Sequence, residues 1–179
     1  MTTLAIFDLY GTIVPIPENC WSPENFNWEN FLNVMDEQTA FGSVLSTLSW
    51  HLHMGHKVVV VTARPEHERG RTSKLLERVD FDHDELIMRP SSLIEEETIQ
   101  LEGAKTSEDV KKILFNNHAN WRKDIRESLI TRGFSLGRSF AYDDQMPNLM
   151  TWREAGCSIW LVDNNGHLSG ANCNEYKNQ

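Results

Sequence analysis

Residues 4–12 read Leu-Ala-Ile-Phe-Asp-Leu-Tyr-Gly-Thr, and this stretch decides the fold. Its apolar start predicts a buried β-strand that carries Asp8 into a turn at Gly11. In open parallel sheets, ligands bind outside the carboxyl ends of the strands. A lone carboxylate delivered to that edge is suited to nucleophilic attack, so Asp8 is the first candidate for chemistry.

Four further apolar runs complete the predicted sheet. Together with residues 3–8, the predicted strands are 57–62, 84–88, 138–142 and 158–162. Their apolar residues are continuous rather than alternating, which predicts strands that are covered on both faces and therefore parallel. Apolar residues at helical spacing between the strands predict the covering helices. We therefore expect a three-layer, Rossmann-like α/β fold with five mostly parallel strands.

The helices between these strands have recognisable boundaries. Gly55 ends the first, the second starts near Pro65, a capping box at Thr106 starts the third, and a short helix follows Pro147. The third helix is predicted to bend near residues 116–117. The acidic stretch 89–104 fits neither a strand nor a helix of this core and is predicted to be a solvated loop.

The chain is long enough for one well-cored domain, which we place at residues 1–162. Residues 13–34 carry three prolines and several aromatic side chains, and we interpret them as a small flap or minimal cap. Those aromatics form either a small core that seats the flap or a stacking surface for a base; they are Trp21, Phe26, Trp28 and Phe31. Residues 163–179 are predicted to be a polar, poorly ordered tail.

The overall charge and the cysteines bear on partners and compartment. A net charge of −9 disfavours non-specific binding to nucleic acid, which depends on a basic surface. Three widely spaced cysteines, an odd number, predict reduced thiols in the cytoplasm, with Cys157 buried. Without a charged-then-apolar leader or an apolar run of membrane length, we expect a soluble protein with no membrane partner.

Polar residues stand at the ends of three predicted strands. Asp8 ends the first, Thr62-Ala63-Arg64 closes the second, and Asp143-Asp144 follows the fourth. Carboxyl ends of parallel strands meet at one edge, so these side chains are expected to converge. Three such termini indicate a site better than any one of them alone.

The chain resembles the haloacid dehalogenase (HAD) superfamily, whose first motif is usually Asp-x-Asp-x-Thr. Asp8 matches the nucleophile of that motif, and Asp143 and Asp144 match the acidic pair of the fourth. Thr62 looks like the second-motif hydroxyl and Lys111 like the third-motif cation, for which Lys105 is a weaker candidate. Within the superfamily, Val-Thr-Ala-Arg at 61–64 and Leu-Ile-Met-Arg-Pro at 86–90 are most similar to the 3′-phosphatase domain of phage-type polynucleotide kinases.

This resemblance implies a Mg²⁺-dependent phosphomonoester hydrolase that acts through an aspartyl-phosphate. Asp8, the backbone carbonyl of Tyr10, Asp143 and Asp144 would hold the metal, which takes oxygen ligands. The substrate would be a phosphorylated small molecule, a nucleotide or a 3′-phosphorylated nucleic-acid end. The residues expected to bind it are Gly11, Thr12, Ala63 and Arg64.

Tyr10 departs from the family pattern, in which a second aspartate protonates the leaving group. A phenol with a pKa near 10 is a poor proton donor at neutral pH. The protein is therefore a slow enzyme, a phosphatase with another acid, or a catalytically weak binder of phosphates or nucleotides. The candidate acids by proximity are Glu18, Glu66 and His67. Asp-x-Tyr-Gly-Thr is also the form of 2-haloacid dehalogenases, a further alternative that needs no metal.

Other features are weaker signals. Arg71, Lys74 and Arg78 form a basic stripe on the second helix, which we interpret as a solvated face, with contact to a phosphate backbone as the alternative. Histidine spacing does not indicate a zinc site. The tryptophans at 50, 152 and 160 are predicted to be core residues.

Overall fold

The computed structural model describes residues 2–17, 27–103 and 106–170. Its sheet has six strands in the order β3-β2-β1-β4-β5-β6. They are β1 (Leu4–Phe7), β2 (Lys57–Pro65), β3 (Glu85–Arg89), β4 (Phe140–Asp143), β5 (Ser158–Val162) and β6 (Leu168–Gly170). Strands β1 to β5 are parallel, which confirms the predicted fold. The predicted number of strands was wrong, because β6 pairs antiparallel with β5.

Helices cover both faces of the sheet. They are α1 (Trp28–Asp36), α2 (Gly42–His53), α3 (Arg69–Arg78), α4 (Ser91–Glu102), α5 (Ser107–Thr131) and α6 (Met146–Arg153). Alternate residues of β1 enter different cores: Ala5 and Phe7 pack in the core that includes residues of α1, α2 and α3, whereas Leu4 and Ile6 pack with residues of α5 and α6. A strand buried on both faces has no polar face, which explains its continuous apolar sequence.

The long helix α5 begins as its sequence predicts. The side chain of Thr106 accepts the backbone N–H of Asp109, and the Asp109 carboxylate accepts the backbone N–H of Thr106. This capping box satisfies donors that a helix start otherwise leaves unpaired. The helix continues without a break through residues 116–117, from Ser107 to Thr131, and a bend there stays a prediction.

Two segments predicted to lack regular structure contain some. The stretch 89–104, predicted as a solvated loop, contains α4, and Glu97 in that helix is buried against Arg89. The predicted tail contributes β6 from 168 to 170, while 171–179 lie outside the described residues. The prediction of a solvated loop relied on the acidic composition of the stretch 89–104. It failed because an ion pair with Arg89 offsets the unfavourable burial of the Glu97 charge.

The flap and the basic stripe lie against each other. Helix α1 forms the described end of the flap, and Phe31 on it is buried; Trp21 and Phe26 lie outside the described residues. Arg71 on α3 pairs with Asp36 and Glu29 of α1. The Arg78 guanidinium donates to the backbone carbonyl oxygens at 36 and 38. The prediction of a solvated face is therefore wrong for Arg71, which is partly buried, whereas Arg78 is exposed as predicted. Both arginines connect α3 to α1 and the residues that follow it.

The tryptophan predictions have mixed outcomes. Trp152 is buried, as predicted, and Trp160 packs half-buried against the core. Trp50 was predicted to be a core residue, yet it is 45% exposed on α2. Cys157 is buried, as its sequence context predicts. None of the described helices is both long enough and apolar enough to cross a membrane.

Candidate active site

Asp8 and Asp143 meet because β1 and β4 are neighbours. The backbone N–H of Asp8 donates to the carbonyl oxygen of Tyr142 at 3.0 Å, which ties the end of β1 to β4. The Oδ1 atom of Asp143 accepts from the Gln145 backbone N–H at 2.9 Å and from Asn148 Nδ2 at 3.0 Å. Side-chain oxygens of Asp8, Asp143 and Asp144 lie within 4.8 Å of one another. We call these three acids the carboxylate cluster.

Burial and mutual repulsion disfavour the ionised forms of the acids in this cluster. Burial and the negative charge of Asp143 raise the pKa of Asp8 well above its usual range, although Arg122 opposes the shift. Burial and Asp143 also raise the pKa of Asp144 to about 7. Three ionised acids this close repel one another unless a cation lies among them.

The cluster fits a hard divalent cation such as Mg²⁺. Oδ1 of Asp144 is buried without a hydrogen-bond partner among the described residues, so it has an unused lone pair directed into the protein. Gly11 allows this packing: its φ is +80°, and a Cβ built there would lie 2.5 Å from Asp144 Oδ2. Buried carboxylate oxygens at such spacing are the ligands that Mg²⁺ takes.

An arginine that the sequence analysis missed bridges the cluster. Arg122 on α5 is almost fully buried, and its Nη2 lies 3.3 Å from Asp8 Oδ1 and 3.8 Å from Asp143 Oδ2. Lys111, the predicted cation, belongs to the same helix three turns earlier, and its side chain lies outside the described part of the chain. Lys105 also lies outside it. The sequence signal that could have identified Arg122 is its place beside Trp121 and Ile125, on the buried face of α5.

The predicted residues at the carboxyl end of β2 line a cavity of about 610 Å³ beside Asp8. Thr62 is buried, and its Oγ1 accepts the backbone N–H of Arg64 at 3.3 Å. Thr12 is buried too, with a hydroxyl that has no hydrogen-bond partner within the described chain. The residues that line the cavity are Asp8, Tyr10, Ile16, Phe31, Thr62, Ala63, Arg64, Pro65, His67, Arg89, Ile94, Glu97, His118, Arg122, Gln145 and Asn148.

Tyr10 contributes an aromatic wall to this cavity. Its ring meets the edge of Phe31 with centroids 5.5 Å apart, and the guanidinium carbon of Arg64 lies 5.6 Å from its centroid. Its hydroxyl is buried without a partner among the described residues. Burial raises the pKa of Tyr10 further above its ordinary value, so the phenol is an even weaker acid than its sequence suggests.

The alternative proton donors differ in their positions. Glu66 is exposed and forms an ion pair with Arg69, and it does not line the cavity. His67 does line the cavity, with its side chain 61% exposed and its Nε2 3.8 Å from Glu68. Glu18 lies outside the described residues. Of the two described candidates, His67 is the one whose position suits proton transfer to a bound ligand.

Two buried arginines form the rest of the polar cavity wall. Arg64 is 1% exposed and donates from Nη1 to Asp36 Oδ1 at 3.1 Å, with Glu68 Oε2 3.7 Å from its Nη2. Arg89 donates to both carboxylate oxygens of Glu97, at 2.8 and 2.7 Å. We call these two sets the arginine pairs. Each guanidinium therefore has at least one carboxylate partner, as buried charges require, although Arg64 shares Asp36 with Arg71.

His118, which the sequence analysis did not single out, joins the second pair. Its Nε2 lies 3.1 Å from Arg89 Nη1. An arginine is always a donor, so this nitrogen accepts and the ring is neutral with its proton on Nδ1. Burial and the charge of Arg89 lower the pKa of His118 to about 4, which agrees with a neutral ring.

Comparisons with solved structures identify the fold. A chain in the structure of the Pnkp1/Rnl/Hen1 RNA repair complex is 19% identical, with a TM-score of 0.57 over 93% of this chain. This chain therefore shares its α/β fold with that chain of the repair complex. A haloacid dehalogenase-like protein from Streptococcus pneumoniae matches with 13% identity and a TM-score of 0.49, covering 88% of this chain and 83% of its own.

A magnesium- and phosphate-bound D,D-heptose 1.7-bisphosphate phosphatase from B. bronchiseptica also matches, with 17% identity and a TM-score of 0.47 over 92% of this chain and 83% of its own. This chain spans 44% of the length of the RNA repair chain that it matches. No protein-family profile matches the sequence. No curated protein sequence matches it either.

Proposed function

We propose that this protein is a Mg²⁺-dependent phosphomonoester hydrolase that acts through an aspartyl-phosphate on Asp8. The observation that carries the proposal is the carboxylate cluster, in which Arg122 is the one side chain of the described structure that forms ion pairs with the acids, bridging Asp8 and Asp143. A carboxylate can attack a phosphoryl group only where positive charge offsets the negative charge of that group. Three buried acids with one paired cation among the described side chains are suited to recruit a metal ion to that place.

Asp8, the main-chain carbonyl of Tyr10, Asp143 and Asp144 would hold Mg²⁺ in this proposal. When bound, the ion offsets charge on the phosphoryl oxygens. A buried Asp144 oxygen without a partner in the described structure supports the assignment. So do the raised pKa values of Asp8 and Asp144, because a bound cation relieves the repulsion that raises them.

The side chains then divide the reaction between them. A carboxylate oxygen of Asp8 attacks phosphorus, a new O–P bond forms, and the bond from phosphorus to the leaving oxygen breaks. Arg122 orients Asp8 and stabilises the charge on the phosphoryl oxygens, and the hydroxyl of Thr62 donates a hydrogen bond to them. Water then attacks phosphorus, which releases inorganic phosphate and regenerates the Asp8 carboxylate. His67 is our proposed donor of the proton that the leaving oxygen takes up.

The proposed substrates are nucleotides or 3′-phosphorylated nucleic-acid ends. The shared fold with a chain of an RNA repair complex supports this choice, as does a cavity of about 610 Å³, which is large enough for a nucleotide. A net charge of −9 favours the smaller substrates among them. The odd number of cysteines supports action in the cytoplasm, where thiols stay reduced.

The test is a hydrolysis panel of 3′-phospho-oligonucleotides, mononucleotides, sugar phosphates and aryl phosphates, with and without chelator. We expect turnover that needs Mg²⁺ and falls about 10⁴-fold or more in Asp8→Asn, since loss of a nucleophile removes the covalent route. The control is Asp124→Asn, which removes an exposed acid of α5. Beryllium fluoride should bind the wild type as an Asp8 adduct and not bind Asp8→Asn. Turnover that survives chelation or Asp8→Asn would contradict the proposal.

A catalytically weak phosphate or nucleotide binder is the second candidate, and the buried hydroxyl of Tyr10 favours it. In that case the panel shows binding without turnover, even of aryl phosphates. Displacement of halide from 2-haloacids needs Asp8 and no metal, so it gives Asp143 and Asp144 no role. Chloride release in the presence of chelator would favour that chemistry instead.

A further inference from the structure

One edge of the Arg64 guanidinium has no hydrogen-bond acceptor among the described residues, and the nearest carboxylate oxygen, Glu68 Oε2, lies 3.7 Å from Nη2. Its Nε and Nη2 are buried and have no hydrogen-bond acceptor among the described residues, whereas Nη1 is bonded to Asp36. Nε–H and one N–H of Nη2 point in the same direction from the planar group, so they match two adjacent acceptors on a ligand. Arg64 lines the cavity beside Asp8. A buried donor without an acceptor is costly, which indicates that a ligand supplies the acceptors.

The charges around Arg64 decide which acceptors fit. Asp36 pairs with both Arg64 and Arg71, Glu29 pairs with Arg71, and Glu68 lies 3.7 Å from Arg64. Three carboxylates therefore surround two guanidinium groups, so the local charge is already balanced or slightly negative. A second anionic group would add repulsion there, whereas neutral acceptors would satisfy both N–H groups at no electrostatic cost.

Part of the cavity wall is apolar. The side chains of Tyr10, Ile16, Phe31, Pro65 and Ile94 line it. Aromatic and aliphatic side chains of this kind favour a flat, weakly hydrated ring over a sugar or a second phosphate. The second arginine pair contributes one more unpartnered donor, Nε of Arg89. The lining thus combines an apolar surface with a few directed donors, as a site for a heterocyclic base does.

We propose that the cavity binds a guanine base, whose O6 and N7 atoms accept the two parallel N–H groups of Arg64. That the ligand also carries a phosphate group rests on the proposed function. Guanine offers two adjacent acceptors on that edge, which is the commonest base partner of arginine. Adenine offers N7 beside an amino donor, and that donor opposes an N–H of Arg64. The two purines are similar in size, so their comparison isolates these hydrogen bonds.

The first test measures nucleoside binding to the wild-type protein by calorimetry, without phosphate or turnover. Guanosine should bind about tenfold or more tightly than adenosine, the discrimination that a bidentate arginine contact gives. Inosine keeps O6 and N7 and should bind like guanosine, whereas 7-deazaguanosine lacks N7 and should bind like adenosine. Equal affinities for guanosine and adenosine, or unchanged binding of 7-deazaguanosine, would overturn the proposal.

The second test separates the hydrogen-bonding edge from its charge. Arg64→Lys keeps the positive charge that Asp36 and Glu68 need but loses the planar pair of donors. We expect it to lose the preference for guanosine over adenosine and to retain its affinity for inorganic phosphate. Arg132→Lys is the matched control, because Arg132 also makes a bidentate pair, with Glu85, and does not line the cavity. An Arg64→Lys protein that keeps the full guanosine preference would contradict the proposal.

A third comparison distinguishes this inference from a second phosphate site and from failure of the proposed function. In Asp8→Asn, adenosine 3′,5′-bisphosphate should bind no more tightly than guanosine 3′-monophosphate. Tighter binding of the bisphosphate would mean that Arg64 takes an anion, and would overturn the guanine proposal. A guanosine preference without hydrolysis of any phosphomonoester would support the base site while refuting the proposed function.

Discussion

At the carboxylate cluster, Arg122 is the one described side chain that forms ion pairs with the acids, whereas at the arginine pairs each guanidinium has at least one carboxylate partner. Both sets are largely buried and both line or adjoin the same cavity. The first therefore carries excess negative charge that a cation would relieve, and the second is already balanced. Unbalanced buried charge is unfavourable to folding and is found at functional sites, whereas a paired buried charge becomes unfavourable when its partner is removed.

This difference predicts opposite effects when one acid is removed from each set. Glu97→Ala leaves Arg89 buried without its carboxylate, so we expect the free energy of unfolding to fall by about 3–5 kcal/mol. Asp144→Asn instead relieves repulsion, so stability in chelator should stay unchanged or rise. Denaturant unfolding measures both. The matched control is Glu85→Ala, which breaks the more exposed pair with Arg132 and should cost about 0–1 kcal/mol.

A comparable loss from Glu97→Ala and Glu85→Ala would show that burial of the Arg89 pair contributes little. A large loss of stability in Asp144→Asn would contradict the view that the carboxylate cluster is strained without metal.

The bridging cation of the cluster can be identified by mutation. Arg122→Met should reduce turnover by roughly 10²–10³-fold, because it removes the charge that lies 3.3 Å from Asp8. Lys111→Met tests the cation that the family resemblance predicts at the other candidate position. Steady-state hydrolysis of an aryl phosphate measures both, with Lys112→Met, an exposed neighbour on α5, as the control. Full activity of Arg122→Met, together with loss of activity in Lys111→Met, would show that Lys111 is the functional cation of the cluster.

Tyr10 tests the remaining difference between a slow enzyme and a binder. If only the proton donor is weak, aryl phosphates should be hydrolysed faster than alkyl esters by about 10²-fold or more. Tyr10→Asp should then raise alkyl-ester turnover by a similar factor and change aryl turnover little. Tyr10→Phe is the matched control, since the Tyr10 hydroxyl has no partner in the described structure. If the wild type hydrolyses both classes equally and Tyr10→Asp adds nothing, another residue such as His67 supplies the proton.

The smallest expected effect concerns pH and lies away from the cavity. His51 is buried between Tyr142 and His56. The Tyr142 hydroxyl lies 2.8 Å from His51 Nε2, and His56 Nδ1 lies 2.8 Å from His51 Nδ1. Burial, together with His56, lowers the pKa of His51 to about 4 from an ordinary value of 6.5. Between these two pH values the unfolded chain binds a proton at His51 that the native state does not bind. The free energy of unfolding therefore falls as the pH drops from 6.5 towards 4.

The carboxylate cluster contributes with the opposite sign. Raised pKa values of Asp8 and Asp144 mean that the metal-free native state takes up protons first, so this part of the stability grows as the pH falls. Comparing wild type with His51→Gln by denaturant unfolding across pH 4–7 isolates the histidine. The wild type should lose more stability than the variant over that range. Parallel pH profiles would show that His51 does not titrate with folding.

The alternation of buried strands and amphipathic helices could be predicted from the sequence, because a parallel strand that is buried on both faces has a continuous run of apolar residues. The convergence of Asp8, Thr62 and Asp143 also followed, since strand ends of a parallel sheet share an edge. Acidic composition concealed α4, because the carboxylate that makes Glu97 look solvated is neutralised by Arg89, eight residues earlier.

The sequence by itself determined the fold class, the edge that carries the site and the aspartates that stand there, because these depend on local patterns and on strand order. Only the tertiary structure decided that Arg122 bridges Asp8 and Asp143, 114 residues from Asp8 in the chain. It alone showed that one edge of Arg64 has no hydrogen-bond acceptor among the described residues while its other nitrogen is bonded to Asp36 of α1. Partners of buried charges come from distant elements, so no local pattern records which donor remains without an acceptor.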